Sequence, residues 1–143
     1  MKIRQSFEQA ICILLLIGVN ESHIKSHELS EKLNISDSYL KKITRQLVVA
    51  GFIESRASKR GGFLLKKELD DITLFDIFEV IEGKESFVET THLVERVFEN
   101  SMRIKETEDI ILDYLHKAEE QYKDKLKEIT LSDIVHSAQK SSD

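Results

Sequence analysis

The stretch SDSYLKKITRQLVVAGFIESRASKRGGFLL, residues 36 to 65, decides the fold because a helical pattern passes directly into a hairpin pattern. At 100° per residue, one face of a helix over residues 36–50 is apolar and carries Leu40, Ile43, Leu47 and Ala50. The opposite face is polar and basic, and carries Ser38, Lys41, Lys42 and Arg45. Gly51 supplies a C-terminal stop. The pattern predicts a helix with one buried face and one face free for polyanions.

The residues before this helix predict a second helix and a tight turn. Ser26 can cap a short helix that buries Leu29 and Leu33, and Asn34 suits the left-handed position that ends it. Ser36 can cap the following helix only two residues later. This spacing favours a helix-turn-helix.

Short β-prone segments, FIES and FLLKK, flank RASKRGG after the second helix. Gly61 and Gly62 allow positive φ there, which predicts a hairpin with a basic tip over residues 56–63. A helix-turn-helix followed by a basic hairpin is the order of a winged helix. The predicted fold class is mainly α with a small β-hairpin, a winged helix-turn-helix domain followed by a long C-terminal dimerisation helix.

Charge is distributed unevenly along the 143 residues, whose formal net charge is -5. Residues 1–67 hold 12 Lys+Arg against 6 Asp+Glu, whereas residues 68–143 hold 9 against 20. This asymmetry indicates a polyanion-binding head joined to a part with another role. We therefore predict a winged-helix DNA-binding domain over 1–83, and a sensing segment with a long dimerisation helix and a short last helix over 84–143.

The single cysteine, Cys12, excludes an internal disulfide framework and a multi-cysteine metal site. The apolar run AICILLLIGV is shorter than the roughly 20 residues that a membrane helix needs. Glu8 interrupts the positive region that a signal peptide would place before it. We expect a soluble, cytoplasmic protein.

The C-terminal half is predicted to be helical. Thr73 and Asp76 begin a capped helix that ends at Gly83, a loop and short helix follow over 84–103, and a long helix runs from about 106 to 128. The long helix carries apolar residues close to a three-four repeat, which predicts dimerisation through Ile104, Ile111, Leu115, Ala118, Tyr122 and Leu126. The alternative is that this seam packs on its own domain.

The run YLKKITRQLVVAGFIESRASKRGGFLL followed by ITLFDIFEVIEG resembles the Rrf2 family of bacterial transcription regulators. FEQAICILLLI near the beginning and KEITLSDIV near the end are similar too, so the resemblance covers nearly the whole chain. It implies a dimeric winged-helix DNA-binding protein, usually a repressor, with its recognition helix on residues 36–50 and its wing on 56–63. Ser58 and Arg60 stand where the family often has glycine, which predicts a stiffer and more basic wing tip.

Helix and wing together provide the candidate DNA-binding residues. They are Ser36, Ser38, Tyr39, Lys41, Lys42, Arg45, Arg56, Lys59, Arg60, Gly61 and Gly62. The lysines suit phosphate contacts and the planar fork of Arg45 suits guanine. A solvated basic face is the alternative for the cations, and Tyr39 is equally compatible with the core.

This sequence departs most from the family in the segment that senses the signal. Cluster-binding members carry three cysteines between the Ile-Thr-Leu helix and the long helix, and KESFVETTHLVERVFENSMRIKE contains none. We therefore expect no cofactor and no iron-sulfur cluster, and a protein or small-molecule effector instead. Cys12 and His92 are possible sensing residues, although a small buried hydrophobe is the simpler role for Cys12.

The five histidines, at 23, 27, 92, 116 and 136, show no metal-binding spacing, and no catalytic motif is found, so we predict neither a metal site nor an enzyme. The resulting hypothesis is a homodimeric repressor that binds a near-palindromic operator. A winged helix that serves as a protein-interaction adaptor is the alternative.

Overall fold

The computed structural model describes residues 4–98 and 103–142. Helix α1 spans Gln5–Val19, α2 spans Ser26–Leu33 and α3 spans Asp37–Val49. Strands β1, Ile53–Arg56, and β2, Gly62–Leu65, form an antiparallel hairpin. Helix α4 spans Leu74–Glu82, α5 Leu93–Val97, α6 Ile104–Lys127 and α7 Leu131–Lys140. The predicted fold class, mainly helical with one small hairpin, is confirmed.

Three of the predicted caps are found, at Ser36, Thr73 and Asn34, whereas the predicted cap Ser26 is the first residue of α2 and Lys25 holds its N-cap position. Ser36 Oγ accepts a hydrogen bond from the Tyr39 N–H at 3.2 Å and begins α3. Thr73 Oγ1 accepts from the Asp76 N–H at 3.1 Å and begins α4. Asn34 adopts the left-handed conformation with φ 52° and ends α2. The three residues between α2 and α3 therefore form the tight turn of a helix-turn-helix.

A single-residue β-bridge joins the wing to the loop before α2. Ile24, in the loop between α1 and α2, exchanges two backbone hydrogen bonds with Phe63 of β2, at 2.8 and 3.2 Å. Lys66 also donates its N–H to the Phe52 carbonyl at 2.9 Å. The bond from Lys66 thus closes the base of the hairpin, and the bridge at Ile24 connects β2 to the loop between α1 and α2.

One hydrophobic core runs through the chain and crosses the boundary predicted at residue 83. It buries Ala10, Ile13 and Leu14 of α1 together with apolar residues of α2, α3, α4 and the hairpin. Leu126 and Leu131, from the end of α6 and the start of α7, belong to the same core. Backbone hydrogen bonds from Leu74 to Ile129 and from Leu131 to Ile72 reinforce this junction, at 2.9 and 3.0 Å.

Helix α1 is apolar on nearly all sides and is covered on several of them. Its Phe7 ring contacts the Phe78 ring of α4, with 5.8 Å between the centroids. No helix in the two described ranges is long and apolar enough to cross a membrane.

Candidate nucleic-acid interface

Helix α3 directs its cationic side chains to solvent. Leu40, Ile43 and Leu47 on its inner face are each at most 1% exposed. Thr44 is also turned inward, and its hydroxyl donates to the Leu40 carbonyl oxygen at 3.0 Å. Burial of this face fixes the rotation of the helix. The opposite face, with Lys41, Lys42 and Arg45, is exposed.

The cations of α3 are not neutralised within the protein. In the part of the chain that the structure describes, none of Lys41, Lys42 and Arg45 forms an ion pair with a carboxylate. Ionic side chains that remain hydrated and unpaired keep their charge available to a polyanion.

The N-terminal turn of α3 divides its polar side chains into two roles. Ser36 Oγ caps the helix, and lies 3.3 Å from Ser38 Oγ. Tyr39 is half-buried and packs against the hydrophobic core, in agreement with the alternative that assigns it to the core. Ser38 is exposed and faces solvent at the start of the helix.

The wing tip carries three exposed cations, Arg56, Lys59 and Arg60. Arg56 Nη2 contacts Glu54 Oε1 at 3.3 Å on the same strand, so a neighbouring carboxylate offsets part of its charge. Among the described residues, Lys59 and Arg60 have no such partner. The positive potential of the wing is therefore concentrated at Lys59 and Arg60.

The two glycines of the wing shape its turn. A Cβ on Gly61 would collide with the carbonyl oxygen of Arg56, and Gly61 is buried. Gly62 has φ 141°, and a Cβ there would lie 2.5 Å from the Ile24 carbonyl oxygen. A contact between Gly61 and DNA stays a prediction. Both glycines allow the close backbone approach that positions the neighbouring cations.

A groove of about 480 Å³ separates α3 from the hairpin, and it brings Lys41 and Arg45 to the same surface as Ser55. Ser26, at the start of α2, lines the same groove. Neither serine was predicted as a site residue, because neither lies on the basic face of α3 or at the wing tip. The alternation of side chains between the two faces of β1 could have indicated Ser55, which lies between Glu54 and Arg56 on that strand.

The segment before α5 is attached to α6 through a buried carboxylate. Glu119 accepts hydrogen bonds from the Ser86 hydroxyl at 2.8 Å and from the Phe87 N–H at 3.0 Å. The ammonium group of Lys123 lies 3.0 Å from its other oxygen. Burial alone would raise the pKa of Glu119, but the hydrogen bonds from Ser86 and Lys123 outweigh it and hold the pKa below its ordinary value of 4.5.

His92 lies beside a second buried carboxylate on α6. Its Nδ1 is 3.1 Å from Glu108 Oε1, and the Thr90 hydroxyl donates to the same oxygen at 2.6 Å. The Thr90 hydrogen bond is the largest cause that holds the pKa of Glu108 below 4.5, and the His92 contact acts in the same direction. Glu95 Oε1 is 3.9 Å from His92 Nδ1. Sequence spacing did not reveal this cluster because its members come from two helices.

Cys12 is half-buried on α1 rather than fully enclosed. Burial, followed by repulsion from Glu8, raises the pKa of its thiol. A thiol with a raised pKa is mostly protonated at neutral pH and therefore a poor nucleophile. The side chain lines an apolar groove with Leu15 and Leu16, away from the cationic surface.

The predicted dimerisation seam of α6 divides into an outer and an inner part. Ile111 and Leu115 are 45% and 47% exposed, and Ala118 is also exposed, whereas Ile104 is half-buried. Tyr122 instead packs edge-on against Phe78 at 5.8 Å, and Leu126 is only 9% exposed. Leu126 thus lies in the core of its own chain and Tyr122 packs against that core, and dimerisation through the seam stays a prediction. Ile110 and Tyr114, which the repeat did not include, are 56% and 69% exposed.

Comparison with known proteins gives a consistent match to this architecture. The sequence model of a protein family described as "Rrf2: Iron-dependent Transcriptional regulator" matches residues 3–137. YwgB of Bacillus subtilis, which is named as an HTH-type transcriptional regulator, is 42% identical over 101 residues, which cover 69% of this chain and 65% of YwgB. The HTH-type transcriptional regulator CymR of the same organism is 32% identical over 93 residues, which cover 62% of this chain and 66% of CymR. The chain thus spans just under two thirds of these relatives.

Solved structures show the same fold over a larger share of the chain. The structure of CymR, the global cysteine regulator of B. subtilis, has a TM-score of 0.64 at 26% identity and covers 96% of this chain and 98% of that one. The structure of IscR from T. potens has a TM-score of 0.72 at 22% identity and covers 99% of this chain and 90% of that one. At 22% identity, the similarity to IscR shows a shared fold and nothing further.

Proposed function

Because this chain belongs to the Rrf2 family of transcriptional regulators, we propose that it is a homodimeric DNA-binding repressor that reads a near-palindromic operator through residues 36–50 and 56–63. The observation that carries this proposal is a set of exposed cations on α3 and at the wing tip that form no ion pair with a carboxylate in residues 4–98 and 103–142. They are Lys41, Lys42, Arg45, Lys59 and Arg60. The family is one of transcriptional regulators rather than enzymes.

In this proposal, α3 enters the major groove and the wing follows the phosphates at its flank. Arg45 reads guanine because its planar guanidinium can donate two parallel hydrogen bonds to O6 and N7. Lys41, Lys42 and the wing cations contact phosphates, which position the protein without reading sequence. Ser38 and Ser55 supply hydroxyl donors beside the cations.

The exposed face of α6 supports a dimer. Ile110, Ile111, Tyr114 and Leu115 form an apolar patch on a helix of 24 residues, about 36 Å long. Contiguous exposed apolar residues of this kind mark interaction surfaces, and a two-fold axis would bury the same patch on both copies. Two α3 helices would then reach half-sites about one helical turn apart.

Binding over a promoter would block polymerase, and an effector near residues 84–105 would alter the angle between the heads through α6. Residues 99–102 of that segment lie outside the described ranges. An effector of this kind weakens DNA binding only by its differential affinity for the two arrangements. We assign the action to the cytoplasm, where the promoter is.

The family description names iron, so we considered whether the residues fit a cluster. An iron-sulfur cluster of the three-cysteine type does not fit, because the one cysteine of the chain, Cys12, lies on α1 and lines a groove with Leu15 and Leu16. We therefore propose regulation without an iron-sulfur cluster.

The test is selection of genomic fragments by the purified protein, followed by fluorescence anisotropy on the recovered site. Arg45→Glu should weaken binding to that site at least 10-fold, since loss of one base contact costs about 1–3 kcal/mol. Lys140→Glu makes the same charge change on exposed α7 and should leave affinity nearly unchanged. Affinity of the unaltered protein should fall about 10³-fold or more between 50 and 200 mM salt.

Two results would contradict the proposal. Recovery of no enriched sequence would favour the protein-interaction adaptor. Equal affinities for Arg45→Glu and Lys140→Glu would place the DNA on another surface.

A further inference from the structure

We propose that His92, Glu95 and Glu108 form a binding site for one divalent first-row transition-metal ion. The three residues lie where the beginning of α5 meets the first turns of α6. His92 is the residue immediately before α5, Glu95 is in its first turn, and Glu108 is near the start of α6. A cation here would connect two helices that are joined by the segment 98–103.

The distances suit a single ion. His92 Nδ1 lies 3.1 Å from Glu108 Oε1 and 3.9 Å from Glu95 Oε1, and all three ligand atoms lie within 4.8 Å of one another. Bonds of about 2.0–2.2 Å in a tetrahedral site place neighbouring ligand atoms about 3.4 Å apart. The observed separations bracket that value, so small side-chain rotations of exposed His92 and Glu95 would complete the geometry.

The charge balance of α6 points to the same site. Glu108 and Glu119 are eleven residues apart, which places them within about 20° of each other on the helix. Both are buried, at 7% and 6% exposure. Glu119 has Lys123 at 3.0 Å, but among the described residues the basic partner of Glu108 is His92 alone. A buried carboxylate needs a cation or a metal to offset its desolvation, and a bound divalent ion would supply that positive charge at Glu108.

The surroundings hold the potential ligands in position. Thr90 donates its hydroxyl to Glu108 at 2.6 Å, and the same hydroxyl oxygen accepts the His92 N–H at 3.1 Å. Hydrogen bonds of this kind orient a carboxylate ligand in metal sites. The Thr90 hydroxyl therefore contacts both the backbone N–H of His92 and the carboxylate of Glu108.

The ligand set selects the class of ion. One imidazole nitrogen with two carboxylate oxygens suits Zn²⁺, Fe²⁺ or Mn²⁺, whereas Mg²⁺ and Ca²⁺ prefer oxygen ligands throughout. The three side chains leave further coordination positions for water.

The experiment is calorimetric titration of the full-length, metal-free protein with Zn²⁺ and Mn²⁺, with Mg²⁺ for comparison. We expect one Zn²⁺ or Mn²⁺ per chain, and no comparable Mg²⁺ binding. His92→Gln and Glu108→Gln should each lower the affinity more than about 10-fold. His136→Gln and Glu106→Gln change the same residue types at exposed positions on α7 and α6, and should bind the ion normally.

The variants also guard against a loss of folding. His92 and Glu95 are exposed, so His92→Gln and Glu95→Gln keep the core intact even where Glu108→Gln unfolds the protein. Binding weaker than about 1 mM, or binding that His92→Gln and Glu95→Gln leave unchanged, would overturn the proposal. The titration contains no DNA, so its failure leaves the proposed operator binding intact, and the reverse also holds.

Discussion

Gly62 illustrates how much one residue position contributes to the wing. It combines φ 141° with an approach to the Ile24 carbonyl oxygen that leaves no room for a Cβ. Gly51 also has a positive φ, 82°, but nothing lies within 4 Å of the place a Cβ would occupy. A side chain at Gly51 would therefore meet backbone strain alone, whereas one at Gly62 would meet strain and a steric collision.

This contrast gives a prediction about stability. Gly51→Ala should cost about 1–2 kcal/mol, the usual cost of a left-handed backbone for a residue with a Cβ. Gly62→Ala should cost clearly more, because Ile24 and β2 must also move apart. Urea unfolding of both variants measures the difference, and equal costs would show that the contact between Gly62 and Ile24 is not tight in solution.

A second prediction at this scale concerns Glu119. Since its pKa is lower in the folded protein than its ordinary value of 4.5, the ionised side chain stabilises the fold above that pH and loses this contribution as pH falls through the folded-state pKa. Glu119→Gln should therefore be less stable than the unaltered protein at pH 7, with a gap that narrows under acid.

Denaturant unfolding from pH 7 to pH 3 checks this dependence on Glu119. Asp124→Asn is a suitable control because it also removes one carboxylate, and exposed Asp124 pairs with Lys127 at 3.4 Å. A gap for Glu119→Gln that stays constant with pH would mean that the carboxylate contributes by shape and not by charge.

At the scale of the element, α3 is defined by its cap and by its buried face. Ser36 begins the helix through its hydroxyl, while Leu40, Ile43 and Leu47 determine which side faces outward. Cap and packing agree, and such agreement between local and tertiary preferences is what makes an element well defined.

Ser36 allows these roles to be separated by substitution. Ser36→Ala removes the cap and should destabilise the protein by about 1 kcal/mol. Ser36→Asp retains a good cap, so stability should be preserved, but the added negative charge beside the lysines should weaken operator binding. Thermal unfolding of the two variants measures the change in stability, and fluorescence anisotropy measures the change in operator affinity. Loss of stability in Ser36→Asp would contradict the role assigned to the cap.

At the scale of the whole molecule, α6 serves two surfaces. Its C-terminal end is part of the core through Leu126, and its middle leaves Ile111 and Leu115 exposed. The helix is thus anchored to one domain and free to meet another copy along its outer face.

The dimer proposed on this face predicts the result of sedimentation. Replacing Ile111 and Leu115 together with aspartate should produce a folded monomer, because both side chains are half-exposed in the protomer and charges are costly at a buried interface. The swap Ile111→Leu with Leu115→Ile keeps the apolar area and should remain a dimer. Operator affinity should fall with the monomer, since two half-sites are no longer bound together. A dimer that survives both aspartates would require another interface.

Local features of the fold could be predicted because their causes lie within a few residues. The caps at Ser36 and Thr73, the left-handed Asn34 and the face of α3 each follow from side chains at fixed short spacings. The hairpin followed in the same way from short β-prone segments around two glycines. The repeat of α6 shows which positions are apolar without showing what covers them, so it could not distinguish buried Leu126 from exposed Leu115.

The sequence by itself thus determined the helix-turn-helix, the wing and the concentration of positive charge on them. Tertiary structure alone decided that Ile24 joins the wing, that Leu126 lies in the core with Tyr122 packed against it, and that His92 meets Glu108. These contacts connect residues from separate elements, and their formation depends on closing loops and on burying many side chains at once. No short stretch contains that information, because the free energy that selects such contacts is a property of the packed chain.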